Sequence, residues 1–529
     1  MSLSTQPNDP RRADDIVQPK LGTLGLLRFA WRQLTSMRTA LFLLLLLAVA
    51  ALPGSVLPQR SIDAVRTTDW LARHETTGPI LDRLGFFEVY ASPWFAAIYL
   101  LLLVSLVGCV LPRSKIHWKA MRSQPPKAPK RLERLATYDS VTVDGLPDAV
   151  LDDVRTALTS RRFRIHSHDD STVSAEKGYL KETGNLFFHL ALIGVILGMA
   201  WGHLLGWKGD VIIPVGQTFA NTAARFDTLS PGPLVDTSDF EPFTMKLTRF
   251  DAIFETDVKG QGQFGSPRDF TAYVDFTKTP GAKVEKKVIR VNGPLETGGG
   301  TAFLLGNGYA PRLTVKDAQG KVTYSDVTPF LAQDNLYTSV GAVKVAGAGP
   351  VGKQLGFAGL FLPTAVLDEQ GPRSVFPDAL EPALALSAFE GTLFPGGRPQ
   401  SVYSLDTAEM TQLKNKEGTD LLRIWLTPGQ TYTLPGGQGS ITFDGVERFA
   451  GISIRSDPGK EFTLVSSLVA LVGLILSLTI RRRRVFVRVA PADEEGRTVV
   501  SIGGLAKDDD EGMGEQLEGV LTRLKERRT

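Results

Sequence analysis

The sequence predicts an integral membrane protein with four transmembrane α-helices and a large β-rich extracytoplasmic domain inserted between the third and the fourth. Three observations predict it. Four apolar runs of roughly 18–20 residues interrupt a chain whose average composition, 43% hydrophobic and 22% charged, looks soluble. Lys and Arg cluster where a cytoplasmic side would be. A 256-residue segment between the last two runs alternates apolar and polar residues between Gly and Pro breaks.

The predicted organisation follows the chain. Residues 1–38 form a cytoplasmic N-terminus, polar over 1–20 and then an interfacial amphipathic helix over 22–38 with Leu24, Leu26, Leu27, Phe29, Trp31 and Leu34. The first span covers 39–57 and reads as an uncleaved anchor, because about 38 residues precede it, too many for a signal-peptide n-region. A short outer loop, 58–93, carries one helix around 61–74. The second span is 94–111. A cytoplasmic loop, 112–185, opens basic and Pro-rich and then reads as a small α+β unit. In it 140–143, 163–166 and 172–175 are strands and 146–161 is a helix repeating Val150, Leu151, Val154 and Leu158.

The third span covers 186–205. The outer domain, 206–461, has many short strands and turns, pointing to a sandwich or another β-rich architecture. Its apolar, Gly-rich stretch 356–364 reads as a buried strand pair, with an exposed docking patch as the alternative. The fourth span is 462–480. The cytoplasmic tail, 481–529, holds a strand near 499–502 and a helix over 511–528, and Asp508–Glu511 reads as a solvated helix start.

Orientation rests on Lys and Arg. Arg28, Arg32 and Arg38 precede the first span, a run from Arg113 to Arg134 follows the second, and Arg481–Arg484 follows the fourth. With four spans all three clusters share one side, so both termini are cytoplasmic. The outer domain carries 24 basic against 28 acidic residues and lacks that bias. The net charge of +3 belongs to the cytoplasmic clusters and gives no argument for nucleic-acid binding. The single cysteine, Cys109, excludes an intrachain disulfide, a Cys-x-x-Cys redox site and covalently attached haem.

His189 lies inside the third span, about four or five residues and roughly 6–8 Å from its start. An ionisable group in hydrocarbon marks function by default, and imidazole is a common metal ligand. The residues alone leave two readings open, an interhelical hydrogen bond or a ligand to iron. His203, 14 residues on and about 21 Å along nearly the same face, is either a second ligand at the outer end or a wet interfacial residue. His166 and His168 could share a strand face but lack further ligands. His74 and His117 flank spans as interfacial polar groups. The outer domain has no His or Cys, so a metal ligand there would be Met245, Met410, a Tyr, or nothing.

Several local patterns together resemble the ResB family of cytochrome c biogenesis proteins (System II, ResB/CcsB-like). They are Trp31–Ala40 leading the first span with Pro58-Gln59 closing it, Ser92-Pro93-Trp94-Phe95 and Ser105–Arg113 bounding the second, and Gly184–Leu190 opening the third. Ile289–Leu295 is similar to the family's Val-Asn-x-Pro-Leu turn, and Ser456-Asp457-Pro458-Gly459 with Arg481–Arg484 brackets the fourth. The resemblance implies a bacterial plasma-membrane subunit that works with a ResC/CcsA-like partner. The pair conducts haem b across the membrane in transit and presents it for thioether attachment to apocytochrome c, with thiol-reducing proteins involved indirectly. In that family the third-span histidine, here His189, looks like an axial haem ligand, and Lys177 or Lys181 could pair with the propionates. The partner carries the Trp-rich segment, so catalysis falls mainly to it and this chain is a subunit of the synthase complex. A membrane-anchored sensor without cofactor and an extracytoplasmic enzyme are the competing readings.

Overall fold

The computed structural model describes residues 22–60, 62, 64–257, 263–347, 353–369, 371–394, 402–492, 496–506 and 512–528. The polar segment 1–20 and the acidic helix start at 508–511 lie outside these. The chain divides into two compact units, Met1–Gly198 with Glu461–Thr529, and Met199–Lys460.

In the first unit, α1 (Thr23–Leu34) and α2 (Met37–Val56) meet at a break where Ser36 caps α2 by accepting from the Thr39 amide at 3.2 Å. The predicted single helix over 22–38 is therefore interrupted. Helices α3 (Ala64–Arg73) and α4 (Gly78–Arg83) fill the short loop. Helix α5 (Pro93–Arg122) starts as its sequence directs, with Ser92 accepting from the Phe95 amide and Pro93 in the first turn. Its 30 residues, about 45 Å, outrun the roughly 30 Å of a hydrocarbon core, so the helix continues through Pro112 beyond the predicted span. The α1–α2 elbow sits on α5: Ser105 donates to the Leu34 carbonyl (2.6 Å) and Cys109 to the Thr35 carbonyl (2.8 Å).

Helix α6 (Pro147–Ser160) belongs to the α+β part. Helix α7 (Leu180–Leu205) holds the third apolar run, α8 (Lys460–Thr479) the fourth, and α9 (Gly512–Arg528) ends the chain. Among the described residues, α2, α5, α7 and α8 are the helices long and apolar enough to cross a membrane. Their outward faces carry Leu45, Leu101, Leu197, Leu468 and Val472, which water would penalise and lipid accepts.

The loop after α5 and the chain's tail, which the sequence reads as separate pieces, fold into one sheet. Its order is Thr137–Asp144, Arg497–Ala506, Arg483–Pro491, Thr172–Lys177, Arg164–Asp169, all antiparallel. The loop's first strand and its last two strands are not neighbours; the two tail strands fill the gap between them. Helices α6 and α9 cover one face, burying Val150, Val154, Leu158, Leu517, Val520 and Leu521 against Val173, Val487, Val500 and Ile502.

The second unit is β-rich, and its strands are longer than the sequence suggests. Thr301–Lys316 pairs along its length with Ser440–Ser456, from Thr301↔Arg455 to Lys316↔Ser440, with bulges at Leu304/Gly306 and Arg312/Leu313. One half of this ribbon packs Ala302, Ala450, Ile452 and Ile454 against a four-stranded sheet that supplies Met245, Leu247, Phe276 and Ile289. The other half packs Leu313, Val315, Ile441 and Phe443 against a six-stranded sheet that supplies Val343, Phe357, Phe361 and Leu384. Two cores thus share one ribbon instead of forming a single sandwich. The Gly-rich stretch 356–364 lies largely in the strand Gln354–Leu362 inside the six-stranded sheet, with Phe357, Phe361 and Leu362 fully buried, so it is no docking patch.

Candidate functional site

Where His189 points is decided by what α7 packs against. Gly184, Ala191 and Gly198, seven apart, are the buried residues of α7. A Cβ on Gly184 would lie 2.6 Å from the Gly473 carbonyl of α8, and a Cβ on Gly473 would lie 2.7 Å from the Gly184 carbonyl. Only two glycines allow the backbones this close. His189, five residues after Gly184, is rotated about 140° from that contact and faces away from α8.

It faces a cavity of about 330 Å³ bounded by α2, α5 and α7. The walls are Leu41, Leu44, Leu102, Leu106, Leu186 and Leu192, with Cys109, Arg113 and Asn185 also lining it. The volume falls in the range of about 300–1,000 Å³ typical of small-molecule sites. His189 is half-buried, and its Nδ1 lies 2.7 Å from the Asn185 carbonyl one turn back. A carbonyl only accepts, so Nδ1 carries the proton and the Nε2 lone pair is left available, the arrangement in which imidazole ligates metals. The ring's hydrogen bond is thus to its own helix, not across to another. The Phe188 ring meets it edge-on at 5.1 Å.

The base of α7 is fixed by a charged cluster. His117 of α5 reaches Thr183 Oγ1 (2.9 Å) and Glu182 (3.4 Å), and Glu182 accepts from Arg482 (2.6 Å). Glu176, 2% exposed, accepts from Arg484 and Tyr179 and lies 3.8 Å from both Arg164 and Arg482. Helices α5 and α7, the segment just after α8 and the α+β domain therefore meet in one network.

The other candidates fall elsewhere. His203 is exposed near the end of α7, in the second unit. His166 and His168 stand 4.5 Å apart, and His168 Nε2 is 2.7 Å from the Pro125 carbonyl. His74 stacks on Trp70 at 3.9 Å. Lys177 lies over the Phe163 ring at 4.5 Å, and neither it nor Lys181 lines the His189 cavity, whereas Arg113 does. Arg113 was legible only as the first cation after the second apolar run; nothing in sequence links it to His189. Met245, fully buried in a core, cannot present its sulfur to a ligand, and Met410 lies in the strand Met410–Gln412.

The β-rich unit has its own cleft of about 670 Å³, walled by Phe254, Phe264, Phe270, Leu305 and Tyr337, with Asn307 among its lining. Beside it Arg448 donates to Asp378 (2.6 Å) and to Tyr309 (2.8 Å). Burial pushes the Tyr309 phenol well above its usual range and keeps it protonated, able to donate to the Pro377 carbonyl (2.8 Å).

Four apolar helices, with a large β-rich domain between the third and fourth, define an integral membrane protein with an inserted β domain. The chain belongs to the ResB-like family, which it matches over residues 37–518. Among its relatives is the cytochrome c biogenesis protein CcsB of Nostoc sp. (strain PCC 7120 / SAG 25.82 / UTEX 2576), 26% identical over 278 residues; the match covers 51% of this chain and 56% of that protein, about half of each. The CcsB of Synechococcus sp. (strain CC9311) is 25% identical over 517 residues, 95% of this chain and 99% of that protein. That of Synechococcus elongatus (strain ATCC 33912 / PCC 7942 / FACHB-805) is 27% identical over 224 residues, covering 42% and 45%.

Proposed function

We propose that this chain is a cytochrome c assembly factor of the bacterial plasma membrane. With a CcsA-like partner it conducts haem b across the membrane and presents it for thioether attachment to apocytochrome c. Haem is cargo here, held in transit by His189, and thiol-reducing proteins act only indirectly by keeping the apocytochrome cysteines reduced. Both termini and the α+β domain face the cytoplasm, and the β-rich domain faces outward to hold the partner, the haem or the apocytochrome. The observation that carries the reading is His189 itself: Nδ1 committed to the Asn185 carbonyl, Nε2 available, and an apolar cavity beside the ring. A sensor without cofactor has no use for that combination. The donor set suits a flat apolar macrocycle, since imidazole is a common axial ligand and the leucine walls can replace water around the ring. The second axial ligand comes from the partner's helices.

The test is co-expression of this chain with a CcsA-like protein, purification of the complex and recording of its haem absorbance. His189→Ala is expected to lose most of the bound haem and to lower c-type cytochrome levels at least about tenfold, the worth of roughly 1.4 kcal/mol. Unchanged haem and unchanged cytochrome in that variant would overturn the assignment.

A further inference from the structure

We propose that Arg113 is the carboxylate-binding residue of the His189 cavity and fixes which way round its ligand lies. The inference rests on reading that cavity as a haem site, and adds how the cargo is gripped.

Among the residues lining the cavity Arg113 is the one cation, and none of them is acidic. Among the described residues its guanidinium meets no carboxylate; Nη2 rests 2.6 Å from the Met37 thioether sulfur, a weak acceptor. The arginines at the base of α7 are different: Arg164, Arg482 and Arg484 all engage Glu176, and Arg482 also Glu182. Arg113, exposed at the rim of the leucine walls, is therefore a cation without a carboxylate partner among the described residues. That leaves four of its five N–H donors for a planar acid, which a guanidinium binds in bidentate fashion. An uncharged apolar occupant, such as an acyl chain or a leucine-rich helix, would fill the walls and leave this charge unanswered.

The imidazole comes from α7 and the cation from the basic end of α5. A ligand with a metal at its centre and acids along one edge satisfies both at once, and haem has that form. Propionates held by Arg113 turn the opposite edge, which bears the vinyl groups, toward the membrane interior. The cargo is then gripped by the edge that takes no part in thioether formation.

The experiment uses the full chain in lipid nanodiscs, titrated with haem b and with its dimethyl ester, whose propionates cannot carry charge. Wild type is expected to bind haem at least about tenfold more tightly than the ester, as a charged hydrogen-bonded pair allows. Arg113→Gln should bind the two equally, at the wild-type affinity for the ester. Arg113→Lys should recover part of the preference. Retention of the imidazole-ligated spectrum with the ester shows that the variant is folded. Equal binding of both porphyrins by wild type, or a preference that survives in Arg113→Gln, overturns the inference; a lipid phosphate as the true partner of Arg113 would give that result. Failure of the haem reading looks different: neither porphyrin gives a spectrum that His189→Ala alters.

Discussion

Imidazole is useful in a membrane span only when one nitrogen is satisfied and the other is not. His189 meets that condition through a single bond to the Asn185 carbonyl, a backbone acceptor that side-chain substitution at position 185 leaves in place. The exposed His203 has no such surroundings. His203→Ala is expected to keep bound haem within about twofold of wild type, well under the tenfold step that 1.4 kcal/mol would give, as read by absorbance of the purified complex. The contact between Gly184 and Gly473 sets the rotation of α7, and here a side chain has no room. Gly184→Val should destabilise the detergent-solubilised protein by about 1–3 kcal/mol through overpacking, seen as a lower thermal midpoint, and should turn His189 off its cavity. The position of His189 in a span was legible in the sequence. Its rotation was not, because it depends on a glycine in α8 almost 290 residues away.

At the scale of elements, the strand Thr172–Lys177 does more than extend a sheet. It delivers Glu176 to Arg482 and Arg484, directly after α8. Removing one partner of a buried pair leaves charges uncompensated, so Glu176→Ala should cost about 3–5 kcal/mol, measured by urea unfolding of the α+β domain. In the β-rich unit Lys353 donates to Glu390 at 2.6 Å, and chiefly that bond holds the carboxyl below its usual range. A depressed carboxyl stabilises the fold above its unfolded pKa, about 4.3, and the contribution fades as pH falls through the folded value. The stability difference between wild type and Glu390→Gln is therefore expected at neutral pH and should vanish in acid. A difference that grew on acidification would contradict the ion pair.

At the scale of the whole chain, the α+β domain is discontinuous. Two of its three inner strands, Arg483–Pro491 and Arg497–Ala506, come from the tail, and the third inner strand and both edge strands come from the loop some 300 residues earlier. A chain truncated after Ile480 should keep its four apolar helices yet lose this domain. Trypsin should then cut within 123–179 faster than it cuts the intact protein there. Resistance in the truncated chain would mean that the loop folds alone.

The sequence by itself determined that there are four long apolar helices, the β character of the inserted segment and the histidine most worth asking about. Each is a local property: an unbroken apolar run, an alternation of period two, an ionisable group where hydrocarbon should be. Only the tertiary structure decided that loop and tail form one sheet, that two cores share one ribbon, and that Arg113 joins His189 at a cavity. Those are pairings between distant segments, selected by which faces must be buried and which backbones can touch, and no stretch of chain read alone carries them.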